Sequence, residues 1–386
     1  MDIDRLLKIM VEKSASDMFI TAGVPPSIKI NGKVVPVTTN KLTPEECRET
    51  VLSVMTDNQR KEFVRDKELN FAISARGVGR FRVSAFYQRN LAGMVLRRIE
   101  TNIPDLDGLG LPSVIKELAM TKRGLIVFVG GTGTGKSTSL AAMIGYRNKN
   151  SKGHIITIED PIEFMHSHQG CIVTQREVGI DTESFEIALK NTLRQAPDVI
   201  LIGEVRSQDT MEHAIAFAET GHLCLCTLHA NNANQALDRI LNFFPPERHD
   251  QLWLDLSLNL KGMVAQQLVR SPDGKGRSAV VEVLINTPLA ADLIRKGDVP
   301  ALKPLMAKSN ELGMQTFDQA LFRLYKEGKV SYEDALIHAD SANDLRLMIK
   351  LDSDFDFMEE AAKGGLSMQE EEDPRKGGGR GGLSMR

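Results

Sequence analysis

The sequence lacks the features that define several common protein classes. It has four cysteines in 386 residues, at positions 47, 171, 224 and 226, and no Cys-x-x-Cys pair. This pattern argues against a structural zinc ribbon. The formal net charge is −3, so the chain also has no basic surplus of the kind that nucleic-acid-binding proteins carry.

Long apolar runs are also missing. No stretch approaches the roughly 18 consecutive apolar residues that a membrane-spanning helix needs. The first five residues, Met-Asp-Ile-Asp-Arg, do not resemble a secretory signal. We therefore expect a cytoplasmic protein that reaches a membrane only through partners.

Two of the cysteines leave an alternative open. Cys224 and Cys226 lie two positions apart in an apolar run that follows His222. The spacing is compatible with a metal site and with two reduced core thiols on one face of a strand. Core thiols are the more common outcome, because free cysteine behaves as a small buried hydrophobic residue.

The most informative segment of the sequence spans residues 130–138. Its glycine, lysine and serine spacing, Gly-x4-Gly-Lys-Ser, is that of a phosphate-binding P-loop. An apolar strand-like run precedes it and an alanine-rich helical stretch follows, which is the structural context of this motif. A chance glycine-rich turn is the alternative, but pattern and context agree. The predicted ATP-binding residues are Gly130, Gly131, Thr132, Gly133, Thr134, Gly135, Lys136, Ser137 and Thr138.

The wider pattern predicts two domains and a tail. Residues 1–100 combine helical periodicity with several short strands, including a hairpin over 27–37, and a capping box at Thr43 starts a helix. Residues 101–113 are rich in proline and glycine and are expected to form a linker. From 114 to 350 strands alternate with helices, which predicts a parallel sheet. Three of its strands, 154–158, 199–202 and 223–228, should lie near the P-loop strand.

The last segment, 351–386, has a different composition. It contains an acidic run, a glycine-arginine run and a repeated Gly-Gly-Leu-Ser-Met segment. This composition cannot bury enough apolar surface to offset chain entropy, so a disordered tail is expected. A partner-binding tail is the alternative.

Two acidic segments follow predicted strands. The first, residues 158–163, reads Ile-Glu-Asp-Pro-Ile-Glu, and Glu163 is a candidate general base for an attacking water. The second ends in Gly203-Glu204 and has the outline of a Walker B strand with Glu in place of the usual Asp. We expect Ser137 and Glu204 to hold Mg²⁺, the glutamate partly through water. Arg206 can pair with an acid or a phosphate.

Histidines and arginines complete the candidate set. His222 and His229 flank the predicted strand 223–228 and can sense the γ-phosphate or contact a neighbouring subunit. Arg80 and Arg82 alternate on one face of a predicted strand, with Arg97 further along. A solvated strand face is the alternative, but arginines on a second domain can neutralise phosphate charge when two domains close.

These motifs, in this order, resemble the type II/IV secretion ATPases over residues 1–350. The family's Walker A loop, Asp box, atypical Walker B and His box match 130–138, 158–163, 198–204 and 221–229. The resemblance implies an N-terminal PAS-like α+β domain followed by a RecA-like P-loop NTPase domain with C-terminal helices. It also implies a homohexamer with ATP and Mg²⁺ between the domains, where Arg80, Arg82 and Arg97 reach the phosphates on closure.

Within this family the chain is similar to the type IV pilus retraction ATPases. The implied partners are a principal retraction ATPase paralogue and a pilus platform protein of the inner membrane. Residues 289–295 read Leu-Ala-Ala-Asp-Leu-Ile-Arg, where the principal motor has Ala-Ile-Arg-Asn-Leu-Ile-Arg. This departure argues against independent retraction activity. The resemblance implies an accessory motor located at the cytoplasmic side of the pilus base.

Other functions compete with this interpretation. A pilus-assembly or type II secretion ATPase is one, although the four-cysteine zinc motif of those branches is missing. A nucleic-acid translocase is another, and the acidic net charge counts against it. A catalytically silent subunit is the third, and Lys136, Glu163 and Glu204 count against that.

Overall fold

The computed structural model describes residues 2–30 and 32–363, with side chains up to residue 352. The fold is α/β and contains two sheets, one antiparallel and one mostly parallel. The antiparallel sheet has the order β3-β2-β1-β6-β5-β4. Its strands are β1 (Asp17–Ile20), β2 (Ser27–Ile30), β3 (Lys33–Pro36), β4 (Glu68–Ala75), β5 (Gly79–Gln88) and β6 (Leu91–Arg98).

Three helices cover this first sheet: α1 (Ile3–Glu12), α2 (Pro44–Ser53) and α3 (Asp57–Asp66). The capping box predicted at Thr43 is present, with Glu46 closing it, and the hairpin predicted over 27–37 is confirmed as β2 and β3. The core between helices and sheet is apolar and includes fully buried Met18, Phe81 and Leu96.

The second sheet has the order β13-β12-β7-β11-β10-β8-β9. Its strands are β7 (Gly124–Val129), β8 (Gly153–Glu159), β9 (Cys171–Glu177), β10 (Val199–Ile202), β11 (Leu223–Leu228), β12 (Leu260–Arg270) and β13 (Arg277–Ile285). The predicted parallel sheet is correct except at β13, which pairs antiparallel with β12 through a hairpin. Of the three strands expected near the P-loop strand, β11 is its direct neighbour, while β10 and β8 follow outward.

Eleven further helices are described after the first sheet. They are α4 (Val114–Met120), α5 (Lys136–Asn150), α6 (Phe185–Thr192), α7 (Gln208–Glu219), α8 (Ala233–Leu241), α9 (His249–Asn259), α10 (Pro288–Arg295), α11 (Leu302–Lys308), α12 (Phe317–Lys326), α13 (Tyr332–His338) and α14 (Ala342–Lys363). None of the helices that the structure describes combines the length and apolar character needed to cross a bilayer.

The strand β7, which precedes the P-loop, is buried on both faces of the second sheet. Leu125, Val127 and Val129 belong to the core on one face, and Ile126 and Phe128 to the core on the other. Successive side chains of a strand point to opposite faces, so a strand that is buried on both faces must be apolar throughout. The P-loop therefore begins from a fixed point.

The helix α14 is described as far as Lys363, beyond the expected start of the tail at 351, and the tail boundary stays a prediction. Residues 342–363 contain no glycine or proline, so nothing in the local sequence stops the helix before Gly364 and Gly365. The rest of the predicted tail, 364–386, lies outside the described residues.

Candidate active site

The P-loop connects β7 to α5 in the conformation that its glycines permit. A Cβ atom on Gly130 would lie 2.6 Å from Thr134 Oγ1 and 2.7 Å from the Gln266 carbonyl oxygen. Gly135 has a φ of +89°, and a Cβ there would lie 2.7 Å from Gln266 Nε2. Gly130 is required because the Gln266 carbonyl is a backbone group that leaves no space, and Gly135 because of its positive φ.

Lys136 is the buried cation of this loop. Its Nζ donates to the carbonyl oxygens of Gly130 and Gly131, each at 2.7 Å. Burial lowers the pKa of the ammonium, and the negative charges of Glu204 and Glu163 oppose that effect. Among the described residues the ammonium thus has only carbonyl partners from its own loop, and phosphate oxygens would bind it more strongly.

A cavity of about 270 Å³ opens beside Lys136. It lies at the carboxyl ends of the parallel strands, where ligands bind in open α/β sheets. From the P-loop, Thr132, Gly133, Lys136 and Ser137 line it, whereas Thr138 lies on α5 outside the lining. The acidic and basic side chains that line the cavity are Glu159, Asp160, Glu163, Glu204, Arg206, His166 and His229.

Glu204 is held from two sides within this cavity. Arg206 Nη2 lies 2.5 Å from Glu204 Oε2, and His229 Nε2 lies 3.0 Å from Oε1. Arg206 also lies 4.0 Å from Asp160, so the predicted pairing of this arginine with an acid is confirmed. The acid that follows β10 is therefore oriented by a residue of its own loop and by the histidine that follows β11.

The end of β8 and the loop after it bring two glutamates to the cavity. Glu159 Oε1 accepts hydrogen bonds from Thr157 Oγ1 at 2.6 Å and Gln175 Nε2 at 3.2 Å. Burial raises the pKa of Glu159 to about 7 despite these bonds. Glu163 is exposed, and its backbone carbonyl accepts from the N–H of Glu100 at 3.2 Å. The end of the first sheet is therefore bonded directly to the segment that carries Glu163.

Oxygen donors in the cavity suit Mg²⁺. The Ser137 hydroxyl and the Glu204 carboxylate both line it. Mg²⁺ keeps several waters and is usually bound by one or two protein donors together with substrate phosphates. Among the described residues, no group of three or more histidine, cysteine or acidic side chains is placed to hold a metal ion. The Ser137 hydroxyl and the Glu204 carboxylate fit an ion that is shared with a nucleotide.

The predicted arginines lie outside the cavity lining. Arg82 Nε is 3.9 Å from Glu177 Oε1, and Arg97 Nε donates to Asp17 Oδ1 at 2.8 Å. Arg80 Nε is buried without a hydrogen-bond partner among the described residues. The expectation that these arginines reach phosphates on domain closure stays a prediction.

His222 is not brought to the cavity of its own chain. It precedes β11, whereas His229 follows it, and a six-residue strand separates the two by roughly 20 Å. The His222 ring lies 3.1 Å from Thr220 Oγ1 and 3.3 Å from the Phe217 carbonyl oxygen. Of the two roles considered for this histidine, sensing the γ-phosphate in its own chain does not fit its position.

The cysteines between the two histidines are core residues. Cys224 and Cys226 are fully buried in β11, and both are free thiols. Burial raises the pKa of both thiols, which keeps them protonated. Of the two alternatives that the sequence left open, the structure supports core thiols.

One buried acid near the site was not predicted from the sequence. Glu282 lies in β13, is 1% exposed, and accepts a hydrogen bond from Ala233 N–H at 2.8 Å. Ala233 begins α8 shortly after His229, so this bond fixes the start of that helix. Burial raises the pKa of Glu282 to about 7. The sequence does contain a signal for this residue, since Glu282 is the single acid in the apolar run Ala-Val-Val-Glu-Val-Leu-Ile.

The raised pKa of Glu282 predicts a pH-dependent stability. An acid whose folded-state pKa exceeds its unfolded value stabilises fully at low pH, and this stabilisation is lost as pH rises toward 7. The variant Glu282→Gln removes this titration. Its free energy of unfolding relative to wild type should therefore increase by about 2 kcal/mol between pH 5 and pH 8. Urea unfolding at several pH values measures it.

The exposed Glu311→Gln variant is the control for this prediction, and its difference from wild type should stay constant with pH. A Glu282→Gln difference that is equally independent of pH would contradict the assignment.

The glycine loop, the buried lysine and the acids after parallel strands define a P-loop ATPase. The model of the type II/IV secretion system protein family matches residues 1–317. The chain belongs to this family. It is 72% identical over 379 residues, 98% of this chain and 99% of the relative, to the type IV pilus ATPase PilU of Pseudomonas aeruginosa.

Further relatives agree with this family. The type IV pilus retraction ATPase PilT of Pseudomonas aeruginosa is 40% identical over 87% of this chain and 97% of its own. A crystal structure of the retraction motor PilT with bound ADP has a TM-score of 0.84 at 40% identity, and covers 90% of this chain and 99% of that one. The ATPase DotB of Legionella pneumophila has a TM-score of 0.71 at 26% identity, covering 87% and 94%.

Proposed function

We propose that this chain is an ATP-hydrolysing motor that powers type IV pilus retraction as an accessory to a principal retraction ATPase. One observation carries the proposal: Lys136, Glu163 and Glu204 line one cavity at the carboxyl ends of parallel strands. The 72% identity to a pilus ATPase over nearly the whole of both chains supports the choice of machine. A solved retraction motor with bound ADP supports the nucleotide.

The residues of the cavity have different roles in ATP hydrolysis. Backbone N–H groups of 130–138 and the Lys136 ammonium bind the phosphates. Ser137 and Glu204 would hold Mg²⁺, which would supply positive charge to the phosphates when bound. Glu163 accepts the proton of the attacking water as general base. Arg206 and His229 keep Glu204 in position.

The arginines act from the other sheet. Arg80, Arg82 and Arg97 approach the phosphates when the two parts of the chain close, which places their positive charge where negative charge develops. In the structure Arg82 faces Glu177 and Arg97 is bonded to Asp17, so both must change partners during closure. His222 acts at the boundary with a neighbouring subunit, because the length of β11 separates it from the cavity of its own chain.

The proposed architecture follows from these roles. Residues 1–100 form a PAS-like domain, 101–113 a linker, and 114–350 a RecA-like ATPase domain with C-terminal helices. The working assembly is a homohexamer in which domain closure and opening, driven by ATP, are transmitted around the ring. The ring turns a platform protein on the cytoplasmic side of the inner membrane and so withdraws pilin subunits.

The accessory role is assigned to α10. Leu289 on this helix is 55% exposed, and Asp292 pairs with Arg295 and Lys296 at 3.1 and 2.5 Å. An arginine-asparagine pair stands at the matching place of the principal motor, as the sequence comparison above indicates. An exposed leucine and a neutralised aspartate present a different surface, so we propose that this helix determines dependence on the principal motor.

Two substitutions test the site. Lys136→Ala removes the phosphate-binding cation, and Glu204→Ala removes a Mg²⁺ contact but leaves the P-loop intact. ATP turnover should fall by at least about a hundredfold in both. Glu204→Ala should keep nucleotide binding, measured with a fluorescent ATP analogue. Lys149→Ala, a lysine of the same helix that pairs with Asp105, is the matched control and should turn over ATP normally. Wild-type hydrolysis by both site variants would show the assignment to be wrong.

Gene deletion tests the accessory role. The gene is deleted alone and together with that of the principal retraction ATPase, and retraction of single pili is measured against an optical trap. We expect the single deletion to retract with lower force and the double deletion not to retract. A single deletion that abolishes retraction contradicts the accessory role, and one that retracts at full force contradicts the motor role.

A further inference from the structure

One buried carboxylate next to the site has no role in the mechanism above. Glu177 ends β9 and is fully buried. In the parallel register it lies beside Glu159 of β8. Its Oε2 accepts a hydrogen bond from the N–H of Ile162 at 3.3 Å, and Ile162 directly precedes Glu163. One oxygen of this carboxylate therefore holds the loop that carries the proposed general base.

The other oxygen faces the first sheet. Glu177 Oε1 is buried and makes no hydrogen bond within the described part of the chain, and the nearest cation is Arg82 Nε at 3.9 Å. That distance is within ion-pair range but too long for a hydrogen bond. Arg80, two residues along the same strand, also has a buried Nε without a partner there. The carboxylate and the strand that carries both arginines thus each hold a buried polar atom without a hydrogen-bond partner in the described part of the chain.

The ionised form of Glu177 is favoured by the two arginines and by the hydrogen bond from Ile162 N–H. Burial raises the pKa of Glu177, while the Ile162 N–H and the charges of Arg82 and Arg80 lower it and Asp181 raises it. A buried carboxylate that loses a cationic partner is strongly destabilised. Any movement of the arginines toward phosphates therefore removes positive charge that stabilises the Glu177 carboxylate.

The backbone around Glu177 is fixed. Its carbonyl accepts hydrogen bonds from three successive N–H groups, those of residues 180, 181 and 182. Its own N–H donates to Asp181 Oδ2 at 2.9 Å, and Val178 N–H donates to the Glu159 carbonyl at 2.9 Å. Since these bonds hold the backbone of Glu177, movement relative to its carboxylate is left to the two groups that contact it, the Arg82 side chain and the loop that contains Ile162.

We propose that Glu177 is a positioning residue that couples Arg82 of the antiparallel sheet to the loop carrying Glu163. Before closure Arg82 neutralises the carboxylate, and the Ile162 hydrogen bond holds the Glu163 loop in the position that the structure shows. When Arg82 moves to the phosphates on closure, the uncompensated carboxylate shifts and this loop moves with it, which brings Glu163 to the attacking water as the arginine arrives. The inference rests on the proposed role of Glu163 in hydrolysis.

A double-mutant cycle tests the coupling. Glu177→Gln keeps an acceptor for Ile162 N–H but removes the charge, and Arg82→Met removes the cation. Each should lower kcat about tenfold with KM within twofold, and the double variant should lower kcat no further, because both break the same link. Arg76→Met, which removes an exposed arginine from the turn before β5, should leave both constants unchanged.

Independent losses, which multiply to about a hundredfold in the double variant, would show that Arg82 acts on the phosphates without Glu177. A wild-type kcat in Glu177→Gln would also overturn the proposal. If that variant does not fold, Arg82→Lys decides: restored kcat relative to Arg82→Met supports the link, and a wild-type kcat in Arg82→Met overturns it.

Thermal unfolding of the same four proteins separates this inference from the proposed function. Non-additive shifts in Tm establish the Arg82–Glu177 contact even if the wild-type protein has no ATP turnover, in which case only the proposed function fails. Additive shifts, with normal wild-type turnover, overturn the coupling alone.

Discussion

The site depends on a buried ammonium whose hydrogen-bond partners, in the part of the chain that the structure describes, are two carbonyl oxygens of its own loop. Lys136 is held at Gly130 and Gly131 by two bonds of 2.7 Å. Burial disfavours its charge, so an incoming phosphate meets a cation that gains more from the contact than a solvated lysine would. The glycines permit the conformation of this loop, and β7, which is buried on both faces, anchors its start. The acids after β8 and β10 then face the same cavity because parallel strands end at one edge.

The two sheets are joined at the segment that carries the proposed base. Glu100, just after β6, exchanges backbone hydrogen bonds with residues 163 and 165. Arg82 of β5 approaches Glu177, whose carboxylate holds Ile162. A relative movement of the sheets must therefore move or strain the Glu163 loop. This gives a physical basis for coupling hydrolysis to domain motion, because a two-state contact and the chemistry share one segment.

Much of this arrangement was predictable from local sequence. The P-loop, the Asp box and the strand before Glu204 were visible because apolar runs, glycines and acids occur close together in the chain. The partners of Arg82 and Arg97 were not, since Glu177 and Asp17 are distant in sequence and only the sheet pairing brings them near. The antiparallel β13 was missed because a buried edge strand and a buried parallel strand have the same apolar pattern. The separation of His222 from the cavity of its own chain was not predictable, because a motif gives only the order along the chain, whereas β11 separates its two ends.

The central claim is that ATP is bound by Lys136 and hydrolysed within the cavity shared by Glu163 and Glu204. A crystal structure of the Glu163→Gln variant with ATP and Mg²⁺ tests it most directly. The account predicts that Lys136 Nζ leaves the carbonyls of Gly130 and Gly131 and lies about 3 Å from phosphate oxygens. The γ-phosphate should then face residues 163 and 204. A nucleotide bound elsewhere, or a Lys136 that stays on its loop carbonyls beside bound phosphates, would contradict the account.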